Sequence, residues 1–141
     1  MASLNVGFIG LGTMGAPMAG HLIKGGHKLF VNTRSKVPDD IVKAGGIICS
    51  TGKELAQKAE IVIIMVPDTP DVAAVLFSDN GVAQGLGKDK IVVDMSSISP
   101  IATKEYASKV NALGALYLDA PVSGGEVGAK NATLSDRKSV V

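Results

Sequence analysis

The chain has 141 residues, enough for one domain, and 14 Lys plus Arg against 13 Asp plus Glu leave a formal charge of +1. That balance excludes a broad electrostatic surface for nucleic acid or anionic lipid, so neither is an expected partner and any anion must be held by local geometry. A single cysteine excludes an internal disulfide and gives no metal framework, so no metal is expected and a reduced, cytoplasmic setting is the simplest expectation.

In chain order, the first five residues carry no basic segment and no apolar run, and no signal peptide is expected. Residues 6–9 predict a strand. Residues 13–24 predict a helix, with Met14, Met18, Leu22 and Ile23 at helical spacing and Gly25-Gly26 as its stop. A second strand over 28–31 and a second helix over 37–44 follow, then a short strand at Ile47-Ile48 with Cys49 read as a small buried residue at its end. Thr51 and Glu54 have capping-box spacing and open a helix that runs to Lys58. Residues 61–66 are apolar at every position, as a strand covered on both faces must be, and are far too few to cross a bilayer. Pro67 and Pro70 interrupt the pattern before a short helix over 71–76. A strand over 91–95, a helix from Pro100 to Ala112 and a strand over 116–119 complete the series.

Strand–helix alternation of this kind predicts an α/β, Rossmann-type, doubly wound and mainly parallel sheet. Ligands of such sheets sit outside the carboxyl ends of the strands. Five loops fall on that edge: residues 10–15, 32–36, 66–69, 96–99 and 121–125.

The first of these, Gly10-Leu11-Gly12-Thr13-Met14-Gly15, is a G-x-G-x-x-G between an apolar strand and an amphipathic helix, the context in which that motif binds a dinucleotide. Gly10 permits the tight turn, Gly12 lets a pyrophosphate approach the backbone, and Gly15 lets the helix lie close to the strand. The second strand ends without the carboxylate that usually meets the ribose 2′-hydroxyl of NAD. Asn32 suits a ribose, and Arg34 suits a 2′-phosphate, with Ser35 and Lys36 as further donors, so NADP is preferred over NAD. Arg34 and Lys36 are also open to a plainer role at the start of a helix. Met65, Val66 and Pro67 follow the central strand and are expected near the nicotinamide ribose. Ser96 and Ser97 are open to two roles, contact with cofactor or substrate and capping of the helix at Pro100. Ser123, Gly124 and Gly125 expose backbone N–H groups suited to a carboxylate, or form a plain exit turn. His21 and His27 are read as structural or solvated.

These segments resemble the β-hydroxyacid dehydrogenases. Residues 7–19, from Gly7 through the glycine motif to Ala19, are similar to the family's N-terminal signature, and residues 119–125 to its substrate-binding signature. Asp94-Met95-Ser96-Ser97 adds to the likeness, which runs from about Leu4 to Ser135. The resemblance implies hydride transfer between NAD(P)H and a small, carboxylate-bearing hydroxy or oxo acid. It implies a dinucleotide lined by Gly7 to His21, with Gly10 to Gly15 at its phosphates, an adenosine end met by Asn32 and Arg34, a contact near the nicotinamide at Ser97, and the substrate carboxylate at Ser123, Gly124 and Gly125. It also implies a general acid–base lysine on a helix of a second, helical domain, and a homo-oligomer. No segment of this chain matches that lysine's motif, so no catalytic residue is assigned here and the lysine is expected beyond Val141. Lys130 is read as a loop residue and Lys138 as a tail residue with the wrong neighbours. The expected organisation is an NAD(P)-binding domain over 1–135 and an off-pattern tail over 136–141, read as a truncated or frame-altered end, with the chain alone inactive. The competing expectation is a catalytically silent dinucleotide-binding module that acts as a sensor or interaction partner.

Overall fold

A computed structural model of the chain describes residues 3–136. Lys138 and the rest of the expected tail beyond Asp136 lie outside the described residues. The elements in order are β1 (Asn5–Ile9), α1 (Gly15–Lys24), β2 (Lys28–Asn32), α2 (Asp39–Lys43), β3 (Ile47–Ile48), α3 (Gly52–Lys58), β4 (Ile61–Ile64) and α4 (Thr69–Phe77). A 3-10 turn (Val82–Gly85), β5 (Ile91–Asp94), α5 (Pro100–Ala112), β6 (Leu116–Asp119), β7 (Val122–Ser123), α6 (Gly125–Asn131) and β8 (Ser135–Asp136) follow.

Six strands form one parallel sheet in the order β3-β2-β1-β4-β5-β6. Chain order reverses between β1 and β4, which is the switch point where open α/β sheets bind their ligands. The strands are apolar on both faces because both faces are covered. Val6 and Phe8 of β1, Leu29 and Val31 of β2 and Ile63 of β4 pack with Ala19 of α1 and Ile41 of α2. Ile9, Phe30, Val62, Ile64 and Val92 point the other way, onto Leu55 of α3, Val72 and Leu76 of α4, and Tyr106 and Val110 of α5. The alternation along each strand is the period of two that a pleated backbone imposes.

Boundaries moved where local chemistry differs from pattern. Helix α1 begins at Gly15 rather than Thr13, although the bond from Ala16 N–H to the Gly12 carbonyl (3.0 Å) already turns the preceding residues. Helix α2 starts only at Asp39, because a residue before proline is disfavoured in helical geometry and Pro38 is the cap. Pro70 does not interrupt but lies in the first turn of α4, where a missing N–H costs nothing, and Asp68 caps that turn. Thr51 caps α3 by accepting from Glu54 N–H at 3.1 Å, as its spacing predicts. Ser99, rather than Ser96 or Ser97, caps α5.

Lys130 lies in a helix, α6, and not in a loop; there it pairs with Glu126 at 2.8 Å. This helix has two glycines and its one large apolar residue, Val127, is exposed, so no apolar period announces it. Ahead of it, β7 pairs with β8 in an antiparallel sheet of two strands. Among the described residues no helix is long and apolar enough to cross a membrane.

Candidate functional site

At the switch point the chain leaves a groove of about 890 Å³ over the carboxyl ends of β1, β2 and β4. Gly10, Leu11, Gly12, Thr13, Met14 and Gly15 form its floor, Asn32 and Arg34 one wall, and Met65, Val66 and Pro67 the other. These eleven expected coenzyme residues therefore line one cavity. The twelfth, Ser97, is exposed on the loop after β5 and is not among the lining residues. Ser123, Gly124 and Gly125 are also outside the lining, exposed at the start of α6, with both glycines at positive φ.

Two of the loop glycines are dictated by the protein itself. Gly10 has φ +98°, and a Cβ there would overlap the Met65 carbonyl oxygen. A Cβ on Gly15 would overlap the Gly10 carbonyl oxygen. Gly12 is different: it has no left-handed φ, and a Cβ there would meet nothing within 4 Å. The fold therefore does not need glycine at this position. The ten-residue helix α1 opens at Gly15 with no side-chain cap; Ala16 N–H is already bonded to the Gly12 carbonyl and Pro17 has no N–H, so what the helix start offers an anion is chiefly the positive end of its dipole beside the groove.

On the β2 side, Asn32 donates its amide to the Cys49 carbonyl at 2.8 Å, which fixes the end of β2 against the segment after β3. Cys49 is buried, and burial raises its thiol pKa. Arg34 reaches across the groove mouth to Asp71 of α4 at 3.1 Å, with the Arg34 side chain 80% exposed.

On the β4–β5 side the wall is held from beneath. The Val66 N–H donates to Ser96 Oγ at 2.9 Å. Asp94 Oδ1 accepts the Ser96 N–H at 2.9 Å, and Asp94 Oδ2 accepts the Tyr117 hydroxyl at 2.7 Å. Asp94 and Ser96 are fully buried and Tyr117 nearly so. Burial raises the Asp94 pKa against the opposing pull of the Tyr117 and Ser96 hydrogen bonds, and burial beside Asp94 raises that of Tyr117.

The sequence reading missed the far wall, made by Ser50, Thr51 and Gly52 at the start of α3 and by Asp79, Asn80 and Gly81 after α4. Its available signal was the capping box at Thr51, since a helix N-terminus after β3 also opens at the carboxyl edge. His21 and His27 are structural: His21 Nε2 contacts the Ala129 and Lys130 carbonyls at 2.8 and 3.1 Å, and His27 Nδ1 accepts the Leu4 N–H at 3.2 Å. Among the described residues no group of three or more His, Cys, Asp or Glu could hold a metal ion.

Residues 5–136 match the family described as the NAD binding domain of 6-phosphogluconate dehydrogenase. The chain is 52% identical over 132 residues to 2-hydroxy-3-oxopropionate reductase of Escherichia coli K12, covering 94% of this chain and 45% of that protein. It is 46% identical over 132 residues to a mitochondrial 3-hydroxyisobutyrate dehydrogenase of Drosophila melanogaster, covering 93% of this chain and 40% of that one. Among solved structures, Psf3 in complex with NADP+ and 2-OPP superposes with a TM-score of 0.86 at 30% identity, over 92% of this chain and 46% of that one. A 3-hydroxyisobutyrate dehydrogenase of Mycobacterium tuberculosis with L-serine gives 0.84 at 31%, over 94% and 45%. The chain thus spans less than half the length of these relatives.

Proposed function

We propose, from the premise that this chain belongs to the family of the NAD-binding domain of 6-phosphogluconate dehydrogenase, that it is the coenzyme-holding part of an oxidoreductase acting on a small hydroxy or oxo acid. The observation that carries the reading is Gly12, open on the side where a pyrophosphate would lie and not required by the fold. Gly10 to Gly15 and the start of α1 would hold the diphosphate, and Met65, Val66 and Pro67 would flank the nicotinamide ribose. When bound, the coenzyme supplies the hydride. What this groove adds is binding and orientation, since neither lysine nor histidine is among its lining residues.

NADP is the proposed coenzyme. No carboxylate stands at the end of β2, and the exposed Arg34 guanidinium pairs with the partly buried Asp71 at the groove mouth. Such pairs contribute about 1 kcal/mol or less, so Arg34 can exchange Asp71 for a 2′-phosphate, a stronger charge-assisted partner. The relatives' names support a three- or four-carbon acid as substrate; its carboxylate is proposed to lie at Ser123, Gly124 and Gly125, and Ser97 to touch the coenzyme near the nicotinamide. A homo-oligomer in the cytoplasm is the proposed setting of the whole protein.

Fluorescence titration tests the coenzyme assignment. NADPH binds more tightly than NADH, and Arg34→Asp lowers the ratio of their affinities about tenfold or more, through loss of a charge-assisted contact and gain of a repulsive one. An unchanged ratio overturns the assignment to NADP.

A further inference from the structure

We infer that Ser96 and Asp94, buried beneath the groove, are positioning residues for the nicotinamide half of the coenzyme: they hold the wall formed by Val66 and Pro67. The inference rests on the reading of the groove as a dinucleotide site. Neither side chain lines the cavity. The hydroxyl of Ser96 accepts from Val66 N–H, and the backbone N–H of Ser96 donates to Asp94 Oδ1, while the other carboxylate oxygen accepts from Tyr117. A line of hydrogen bonds thus runs from β6, through the end of β5, to the loop after β4.

Its end point matters because it falls between the last sheet bond after β4, at Met65, and the cap of α4 at Asp68. Met65 N–H still bonds to the Ile9 carbonyl at 2.9 Å, but β4 has ended and Val66 stands outside the sheet. Pro67 has no N–H to offer and restricts the backbone of Val66 before it. The Ser96 hydroxyl is therefore the acceptor that holds the Val66 peptide between those two points. The turn in turn supports the phosphate loop, since Gly10 packs so closely on the Met65 carbonyl that a Cβ would overlap it. Without the hydroxyl, the partly buried Val66 N–H loses its acceptor, which favours rotation of the peptide toward water. Coenzyme held over this wall then loses its shaped surface, while the adenosine end over β2 keeps its own.

The test compares NADPH with adenosine 2′,5′-bisphosphate, which carries the adenosine end without the nicotinamide. Ser96→Ala weakens NADPH about tenfold and the bisphosphate less than about twofold. Lys90→Met serves as a structural control, because Lys90 Nζ bonds the Ala56, Gln57 and Ala59 carbonyls at the far end of α3 and lowers stability when lost. This control changes neither affinity by more than about twofold. Asp94→Asn, should Ser96→Ala fail to fold, gives the same selective loss, because an amide can accept from only one of the Ser96 N–H and the Tyr117 hydroxyl and so releases the Ser96 segment or its support. Equal weakening of both ligands, or NADPH affinity within about twofold of the unsubstituted chain, overturns the inference. Failure of the unsubstituted chain to bind NADPH at all instead overturns the dinucleotide reading beneath it.

Discussion

The two sides of the groove are built from different materials. On the β1–α1 side the geometry is made of backbone: Gly10 and Gly15 are required by contacts with the carbonyls of Met65 and Gly10. On the β4–β5 side it is made of buried side chains: Asp94, Ser96 and Tyr117 hold a loop that carries no such motif. Backbone construction leaves a spacing that can be read along the chain. Side-chain construction leaves its parts 23 and 30 residues apart, joined only when the sheet forms.

Substitutions on the two sides should therefore differ in kind, and three of them order the comparison by their effect on stability. The largest effect belongs to the backbone side. Gly15→Ala drives a Cβ into the Gly10 carbonyl, which no side-chain rotation relieves, and should cost about 3 kcal/mol or more, at the upper end of overpacking. Urea unfolding measures this, and a loss of less than about 1 kcal/mol would show that the loop can shift at will.

Tyr117→Phe comes next. It removes one donor from a buried carboxylate and should cost about 2 kcal/mol near neutral pH. The cost depends on pH in a defined direction. Burial already raises the Asp94 pKa, so the fold favours its protonated form and stability falls as pH rises from the ordinary carboxylate value through the folded one. Removal of the tyrosine hydroxyl raises that folded value further, so the deficit of the variant should be larger at about pH 8 than at about pH 4. A deficit that shrinks as pH rises would show that the hydroxyl does not stabilise the charged form.

The same division explains what was legible in the sequence. The strands of the sheet, the phosphate loop and the five-residue segment after β2 were readable because glycine spacing and β-branched runs are local signals. Eleven of the expected coenzyme residues line the groove for that reason. Helix α6 was not readable, since Gly125 and Gly128 argue against a helix and Val127 faces solvent. The far wall at residues 79–81 was not readable either: Asn80 takes a left-handed φ of 59° and its carbonyl accepts from Lys53 N–H at 2.9 Å, a contact between separate elements. Ser96 drew attention as a hydroxyl for a ligand, yet it is buried and bonded inward, because its neighbour Asp94 needs donors once β5 is covered.

Gly12 separates the ligand's demand from the fold's, and its effect on stability should be the smallest of the three. Gly12→Ala adds one methyl into open space, so thermal unfolding should match that of the unsubstituted chain, while calorimetric titration with NADPH should show at least about a tenfold loss of affinity. Unaltered NADPH binding by a folded Gly12→Ala chain, or no binding by the unsubstituted one, would contradict a diphosphate seated on that loop.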